Sequence, residues 1–272
     1  MKCRIDLIMI GVAAALVAGC QSVRTTEPGV VGVERGQTML ISSREVNESA
    51  ARAYQKELRE AARAGRLNPN PAQVERVRHI AQRLIAHTGA LRGDAPGWNW
   101  ETNVIGAKDV NAWCMPGGKI AVYTGLIERL QPSDEELAAV MGHEMAHALR
   151  EHGRERASRA VGQSIAVDVI GAAFGLSGLA KDLSQVVLDV TVSLPNSRTH
   201  ETEADRLGVE LAARAGYDPR AAVSLWQKMQ GLGGGRAPQF LSTHPSHATR
   251  INDLRVYAER VMPLYQEAQR RR

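Results

Sequence analysis

Residues 142–153, GHEMAHALREHG, decide the fold of this 272-residue chain. Within them His143, Glu144 and His147 form the pattern H-E-x-x-H. Residues four apart on a helix lie about 40° apart around its axis and one turn along it, so both imidazoles can point at one ion. Glu144, displaced by about 100° from His143, can reach a water on that ion without binding the ion. The stretch therefore predicts a metal-binding catalytic helix.

The residues around this pattern narrow the class of site. Residues 133–136, SDEE, match a capping box and predict that a helix begins just before the motif. A metzincin would have a histidine six residues after His147, but Gly153 is at that position, so that class is excluded. His152 falls about 140° off the ligand face of a continuous helix. We expect His152 either to face solvent or to contact a metal-binding residue without binding the ion itself.

A third ligand is available in residues 197–205, SRTHETEAD. Glu201 and Asp205 lie one helical turn apart, so Glu201 can bind the ion while Asp205 orients a ligand histidine. Glu203 points roughly 200° away from Glu201 and is expected to face solvent. We also expect Glu151, His200 and His247 at the surface. Alternatively, the acidic run only complements the dipole of a helix start. Two imidazoles and a carboxylate suit one Zn²⁺ per chain, with the fourth position free for water and Glu144 as general base.

Composition and charge limit the remaining possibilities. With 44% hydrophobic residues and 272 positions, the chain is large enough for one cored domain. The net charge is +5, but Lys and Arg are scattered apart from the cluster at residues 270–272, so we expect no nucleic-acid binding. The three cysteines, Cys3, Cys20 and Cys114, leave no intramolecular disulfide if the first two belong to a processed N-terminus.

The N-terminus is typical of a secreted bacterial protein. Residues 1–19 have a charged start and a short apolar run, which predict a signal peptide rather than a membrane span. Residues 16–20, LVAGC, resemble a lipobox, so Cys20 is the expected lipid attachment site. The alternative is an ordinary signal peptide with an incidental Cys20. Gln21 instead of Asp favours the outer membrane, with the protein facing the periplasm. We expect residues 20–42 to form a flexible tether and 43–272 the folded domain.

The rest of the chain predicts a mostly α-helical α+β domain. Strands are expected at residues 98–105, 111–114 and 119–123, with Pro116-Gly117-Gly118 as a turn. They would form a small antiparallel sheet beside the H-E-x-x-H helix. Residues 161–194 are apolar but interrupted by glycines and charges, which favours a buried helix pair leaning over the site rather than a membrane span.

Four motifs in order carry a resemblance to a known family. HEMAH (143–147), SRTHETEAD, NAWCMPGGKI (111–120) and THPSHATR (243–250) resemble the gluzincin metallopeptidases that include HtpX and the CAAX prenyl endoprotease. The lipobox places the chain nearest the periplasmic lipoproteins of the LoiP and BepA type.

This resemblance implies a gluzincin fold and a set of site residues. Zinc would be bound by His143, His147 and Glu201. His244 would approach the metal or stabilise the transition state, and its alternative is an ordinary turn residue before Pro245. The other implied members are the general base Glu144, the supporting Asp205, and Arg250, which would pair with active-site carboxylates.

The short strands suggest how a substrate would bind. A peptide can add to a free sheet edge through backbone hydrogen bonds. Such binding recognises the shape of an extended chain rather than a particular sequence. The candidate edge is Asn111, Ala112, Trp113 and Cys114, or its partner at residues 119–123. We therefore expect a zinc endopeptidase that cleaves misfolded or unassembled envelope proteins, with the outer-membrane assembly machinery as a candidate partner. The alternative is a chaperone or assembly factor that binds unfolded outer-membrane proteins with little proteolysis.

Overall fold

The computed structural model describes residues 22–173, 182–232, 238–245 and 249–271, with only the backbone given for 165–173. The expected signal peptide, its Cys20 and His247 lie outside these residues, as does the middle of the 161–194 segment. The described part is mainly helical with short strands, as the sequence predicts. Its helices are α1 (Ser43–Arg63), α2 (Pro71–Ile85), α3 (Thr124–Leu130), α4 (Asp134–Leu149), α5 (His152–Ala173), α6 (Leu183–Leu188), α7 (Arg198–Arg214), α8 (Ala221–Gly231), α9 (Gln239–Thr243) and α10 (Arg250–Arg270).

Side-chain caps determine where several of these helices begin. The Ser133 hydroxyl accepts a hydrogen bond from the Glu136 amide while the Glu136 carboxylate accepts one from the Ser133 amide, so the predicted capping box starts α4. Asn70 accepts hydrogen bonds from the amides of residues 72 and 73 at the start of α2, and Pro71 follows it at the first helical position.

A mixed three-stranded sheet lies beside α4. It contains β3 (Glu101–Ile105), β4 (Ala112–Met115) and β5 (Lys119–Tyr123), in the order β3-β5-β4; β1 (Ser22–Val23) and β2 (Gln37–Thr38) form a separate pair. The expectation of a purely antiparallel sheet is wrong, because β3 and β5 are parallel. The predicted turn does join β4 and β5 as an antiparallel hairpin. The hairpin places β5 between β4 and β3, which leaves β4 at one edge.

Helix α4 is the centre of the domain, with every residue from Glu136 to Leu149 buried. A helix that is apolar on most of its faces must be covered on all sides, and α7, α8, β4 and α2 cover it. The closest approach is between α4 and α7 at Gly142 and Gly208. A Cβ on Gly208 would lie 2.7 Å from the His143 amide nitrogen, and one on Gly142 would lie 2.9 Å from the Gly208 carbonyl oxygen. These two glycines bring the H-E-x-x-H helix against the helix that carries Glu201.

Residues 22–42, which we call the N-terminal strap, pack against the domain and do not form the flexible tether expected from their composition. Val31 and Val33 are buried in the main core. The Gln37 side chain is 1% exposed and donates hydrogen bonds to the Arg150 carbonyl and the Glu155 carboxylate. The glycines and polar residues suggested a linker, but the buried valines and polar contacts fix the strap in place.

The segment before α7 packs over the site. Helix α6 lies against α1, with Val187 buried beside Val46 and Ala50, and a single π-helical turn follows at Asp189–Ser193. Residues 174–181 of the expected helix pair lie outside the described chain. Within the part that is described, no helix has the length and apolar character needed to cross a membrane.

Candidate metal centre

Four side chains from three places in the chain converge beneath the sheet edge. His143, His147, Glu201 and His244 are all buried and each offers a donor atom within 4.8 Å of the others. The His143 and His147 Nε2 atoms lie 3.1 Å apart, and the His147 Nε2 lies 3.3 Å from Glu201 Oε1. His143 Nε2 lies 3.6 Å from Glu201 Oε2. The structure therefore brings together all three residues expected as ligands.

These distances fit a metal ion. Zn²⁺ with bonds of about 2.0–2.1 Å and tetrahedral geometry holds its donors roughly 3.3 Å apart. The spacing among His143, His147 and Glu201 lies close to that value. Burial lowers the pKa of His147 well below its ordinary value, so its imidazole is neutral, as a ligand must be. The donor set therefore fits one zinc-type ion.

Asp205 and Arg250 hold this cluster from behind. His143 Nδ1 lies 3.0 Å from Asp205 Oδ1, so the ring donates there and directs Nε2 at the donor cluster. The Arg250 guanidinium donates two hydrogen bonds to Asp205, at 2.6 and 2.8 Å, and lies 2.7 Å from Glu201 Oε2. It also stacks 3.6 Å above the Trp226 ring. One arginine thus fixes two carboxylates that come from successive turns of α7.

Glu144 and His244 lie on the other side of the donors. His244 Nδ1 is 3.2 Å from His143 Nε2 and 3.0 Å from Glu201 Oε1, while its Nε2 is 3.3 Å from Glu144 Oε1. That oxygen is buried and makes no hydrogen bond within the described residues. Burial raises the pKa of the Glu144 carboxyl above its ordinary value. An unsatisfied buried carboxylate beside a donor cluster is suited to proton transfer.

Several residues expected at the surface are buried in this region. Glu203 and His200, expected to face solvent, are 6% and 2% exposed, and Glu151 is 4% exposed. Helix α4 ends at Leu149 and Glu151 adopts φ +53°, so α5 begins in a new direction at His152. The angles projected from one continuous helix therefore do not apply beyond Leu149.

The break turns His152 back towards the metal ligands. His152 Nδ1 lies 2.9 Å from His147 Nδ1, and His152 Nε2 lies 2.9 Å from Glu203 Oε2. A buried ion-pair network surrounds this point, in which Arg35 of the N-terminal strap contacts both Glu155 and Glu203. The non-glycine positive φ that creates this geometry has no clear signature in the sequence.

The expected substrate strand lies at the rim of the site. Cys114 and Pro116 line a small cleft together with Glu144, His147 and His244. Strand β4 is an edge strand, whereas the alternative, β5, is central and has both edges paired. The residues Asn111, Ala112, Trp113 and Cys114 are each about 2% exposed, backbone included, so this edge is covered in the structure. Burial raises the pKa of the Cys114 thiol well above its ordinary value, which makes it a poor nucleophile.

The cleft is nearly closed, with a cavity of about 20 Å³. Val190, Thr191 and Asn196 line it opposite β4. Arg156 holds these residues by hydrogen bonds to the Asn196 side chain and to the carbonyls of Val190, Leu194 and Pro195. We call residues 189–196 the cover. A peptide enters this cleft only if the cover moves.

Comparison with known proteins agrees with this site. The model of Peptidase family M48 matches residues 71–258. Metalloprotease LoiP of Escherichia coli is 32% identical over 259 residues, covering 94% of this chain and 96% of LoiP. Metalloprotease YcaL of the same organism is 27% identical over 255 residues, covering 92% of this chain and 95% of YcaL. Mitochondrial metalloendopeptidase OMA1 of Arabidopsis thaliana is 39% identical over 176 residues, which is 64% of this chain but only 35% of the plant protein.

Proposed function

Because this chain belongs to peptidase family M48, we propose that it is a zinc-dependent endopeptidase. The observation that carries the proposal is the convergence of His143, His147 and Glu201, with the buried Glu144 carboxylate beside them, whose Oε1 makes no hydrogen bond within the described residues. Metalloproteases LoiP and YcaL, which align with this chain over nearly their whole length, support the same activity.

Zinc suits the donors better than a hard cation does. Two imidazole nitrogens and one carboxylate form a typical catalytic zinc set, whereas Mg²⁺ and Ca²⁺ prefer oxygen donors. His143, His147 and Glu201 would hold the ion, and Asp205 and Arg250 would orient them. A zinc ion bound there acts as a Lewis acid on the scissile carbonyl and lowers the pKa of water towards about 7.

The chain's own residues carry the proton transfers. Glu144 accepts a proton from the attacking water and returns it to the nitrogen of the leaving amine. Its raised pKa reflects burial and favours both halves of this exchange. His244 is placed by its Nε2, 3.3 Å from Glu144 Oε1, to hydrogen-bond the oxygen on which charge develops. Its Nδ1 lies among the metal donors, so the same side chain also fits an approach to the ion.

Substrate binding would use the outer edge of β4 once the cover has moved. An extended peptide paired with the backbone of residues 112–115 would pass Cys114 and Pro116 and reach Glu144 in the cleft. Backbone pairing requires an exposed chain, which misfolded and unassembled proteins offer. We propose such envelope proteins as substrates, with outer-membrane assembly machinery as a candidate partner. The protein would be anchored through lipid on Cys20, facing the periplasm and inserted in the outer membrane.

The test is casein cleavage by purified protein from which residues 1–20 have been removed. Wild-type protein should cleave casein, and both EDTA and Glu144→Gln should abolish cleavage, with activity restored by zinc only in the wild type. Cleavage that survives Glu144→Gln would overturn the assignment of the general base. A zinc-loaded wild-type protein that suppresses aggregation of an unfolded outer-membrane protein but never cleaves it would favour the chaperone function instead.

The anchor has a separate test. Palmitate labelling of the full chain expressed in a Gram-negative host should give a labelled band that Cys20→Ala removes. Density-gradient separation of the membranes should then place the labelled protein in the outer-membrane fraction. Labelling that persists in Cys20→Ala would exclude this residue as the attachment site.

A further inference from the structure

The two histidine ligands are supported in different ways. His143 donates from Nδ1 directly to the Asp205 carboxylate, 3.0 Å away. In the part of the chain that the structure describes, the Nδ1 of His147 faces His152 Nδ1, 2.9 Å away, rather than a carboxylate. Two ring nitrogens at this distance form a hydrogen bond only if one carries a proton and the other does not. The orientation of His147 therefore depends on which nitrogen of His152 is protonated.

Glu203 determines which nitrogen of His152 carries the proton. Its Oε2 lies 2.9 Å from His152 Nε2, and a carboxylate can only accept, so Nε2 carries the proton. In a neutral His152 the Nδ1 atom is then an acceptor, and His147 Nδ1 must donate to it. This leaves His147 Nε2 with its lone pair aimed at Glu201 and the other donors. A proton on His152 Nδ1 would instead drive the His147 proton onto Nε2 and block binding of an ion.

The Glu203 carboxylate is itself fixed by two arginines. Arg35 Nε donates to Oε1 at 2.7 Å and its Nη2 to Oε2 at 3.1 Å. Arg150 Nε donates to Oε2 at 3.3 Å. The carboxylate therefore remains charged, buried and held in place. Its partner Arg35 belongs to the N-terminal strap, so a segment far from the motif in sequence contributes to the metal site.

We propose that His152 and Glu203 are positioning residues that fix the tautomer and ring orientation of His147. Arg35 of the N-terminal strap completes this chain of hydrogen bonds, which we call the relay. The inference rests on the proposed metal site. The essential property of His152 towards His147 is then a hydrogen-bond acceptor at the position of its Nδ1 atom.

Two substitutions separate this property from packing. His152→Asn keeps an acceptor, since the asparagine Oδ1 takes the place of the imidazole Nδ1, but it leaves a cavity. His152→Phe keeps the ring, which stacks on His200 with a centroid distance of 4.3 Å, but it removes the acceptor. Glu203 retains Arg35 and Arg150 as partners in both variants, so no buried charge is left alone.

The measurements are the zinc dissociation constant, from competition with a chromogenic chelator, and the thermal unfolding of the metal-free proteins. We expect His152→Phe to bind zinc about 10–100-fold more weakly than wild type, the usual effect of losing a partner of a ligand histidine. His152→Asn should stay within a few-fold of wild type although its metal-free form melts at a lower temperature.

The outcomes are distinguishable. If His152 had a purely structural role, zinc affinity would follow the stability of the metal-free protein, and His152→Asn would bind zinc more weakly than His152→Phe. That order of zinc affinities would overturn the relay. Wild-type zinc affinity in both variants would also overturn it while leaving the proposed function intact. A wild-type protein that binds no zinc would overturn the proposed function and the relay together.

Discussion

The contact between α4 and α7 at Gly208 offers a direct perturbation of the site geometry. A Cβ on Gly208 would lie 2.7 Å from the amide nitrogen and 2.8 Å from the Cα of His143. Both neighbours are backbone atoms of a packed helix, so Gly208→Ala must push the helices apart by roughly 0.5–1 Å to relieve the clash. Overpacking of this kind costs about 1–3 kcal/mol, and the better helix propensity of Ala offsets about 1 kcal/mol of it.

The same displacement separates His143 from Glu201, which sit on opposite helices. A metal site tolerates about 0.5 Å of misplacement, so we expect zinc affinity to fall by about tenfold or more although the free energy of unfolding changes by only about 0–2 kcal/mol. Chelator competition measures the first quantity and urea unfolding of the metal-free protein the second. The matched control is Gly231→Ala in α8, where a Cβ would meet no atom of the described residues within 4 Å. Unchanged zinc affinity in Gly208→Ala would refute the close approach as the cause of ligand convergence.

Three further predictions concern regions around the site. Arg156→Met removes the hydrogen bonds that hold the cover and should raise the rate of casein cleavage several-fold. Arg159→Met, at an exposed neighbouring position, should not raise it. Equal cleavage rates in the two variants would argue against the cover as a barrier to substrate. Arg35→Met removes the partner of two buried carboxylates, since the Arg35 side chain is only 32% exposed. It should lower the free energy of unfolding in urea by about 1–3 kcal/mol, against no more than about 0.5 kcal/mol for the exposed Arg44→Met. Burial alone would raise the pKa of Glu155, but hydrogen bonds from Arg35 and other neighbours outweigh burial and lower this pKa. The ionised Glu155 therefore stabilises the fold fully above about pH 4.5, and this stabilisation is lost below that pH by up to about 1.4 kcal/mol per pH unit. Glu155→Gln should flatten the fall of stability at acid pH, and an unchanged slope would contradict this.

The features that the sequence could predict are those with local causes. The capping box at Ser133, the helix start at Asn70 and the spacing of His143 and His147 depend only on neighbouring residues, and the structure has all of them. The pairing of α4 with α7 was also inferable, because Glu201 supplies the donor that the first helix lacks.

The remaining features depend on contacts that no local pattern encodes. The positive φ at Glu151 redirects the chain, so His152 and Glu203 become partners although helical angles place both away from the site. The N-terminal strap has a linker-like composition, but its buried valines Val31 and Val33 and its contacts with Glu155 and Glu203 hold it on the domain. The parallel pairing of β3 with β5 likewise arises from insertion of a hairpin, which alternation of residues cannot reveal.

Zinc content and casein cleavage, measured on the same preparations, test the metal site most directly. We expect one zinc per chain in the wild-type protein and in Glu144→Gln, with cleavage only in the wild type. Glu201→Gln should lose both zinc and cleavage, because a neutral amide replaces the charged ligand. A Glu201→Gln protein that binds zinc as tightly as wild type and still cleaves casein would contradict the assignment of the site.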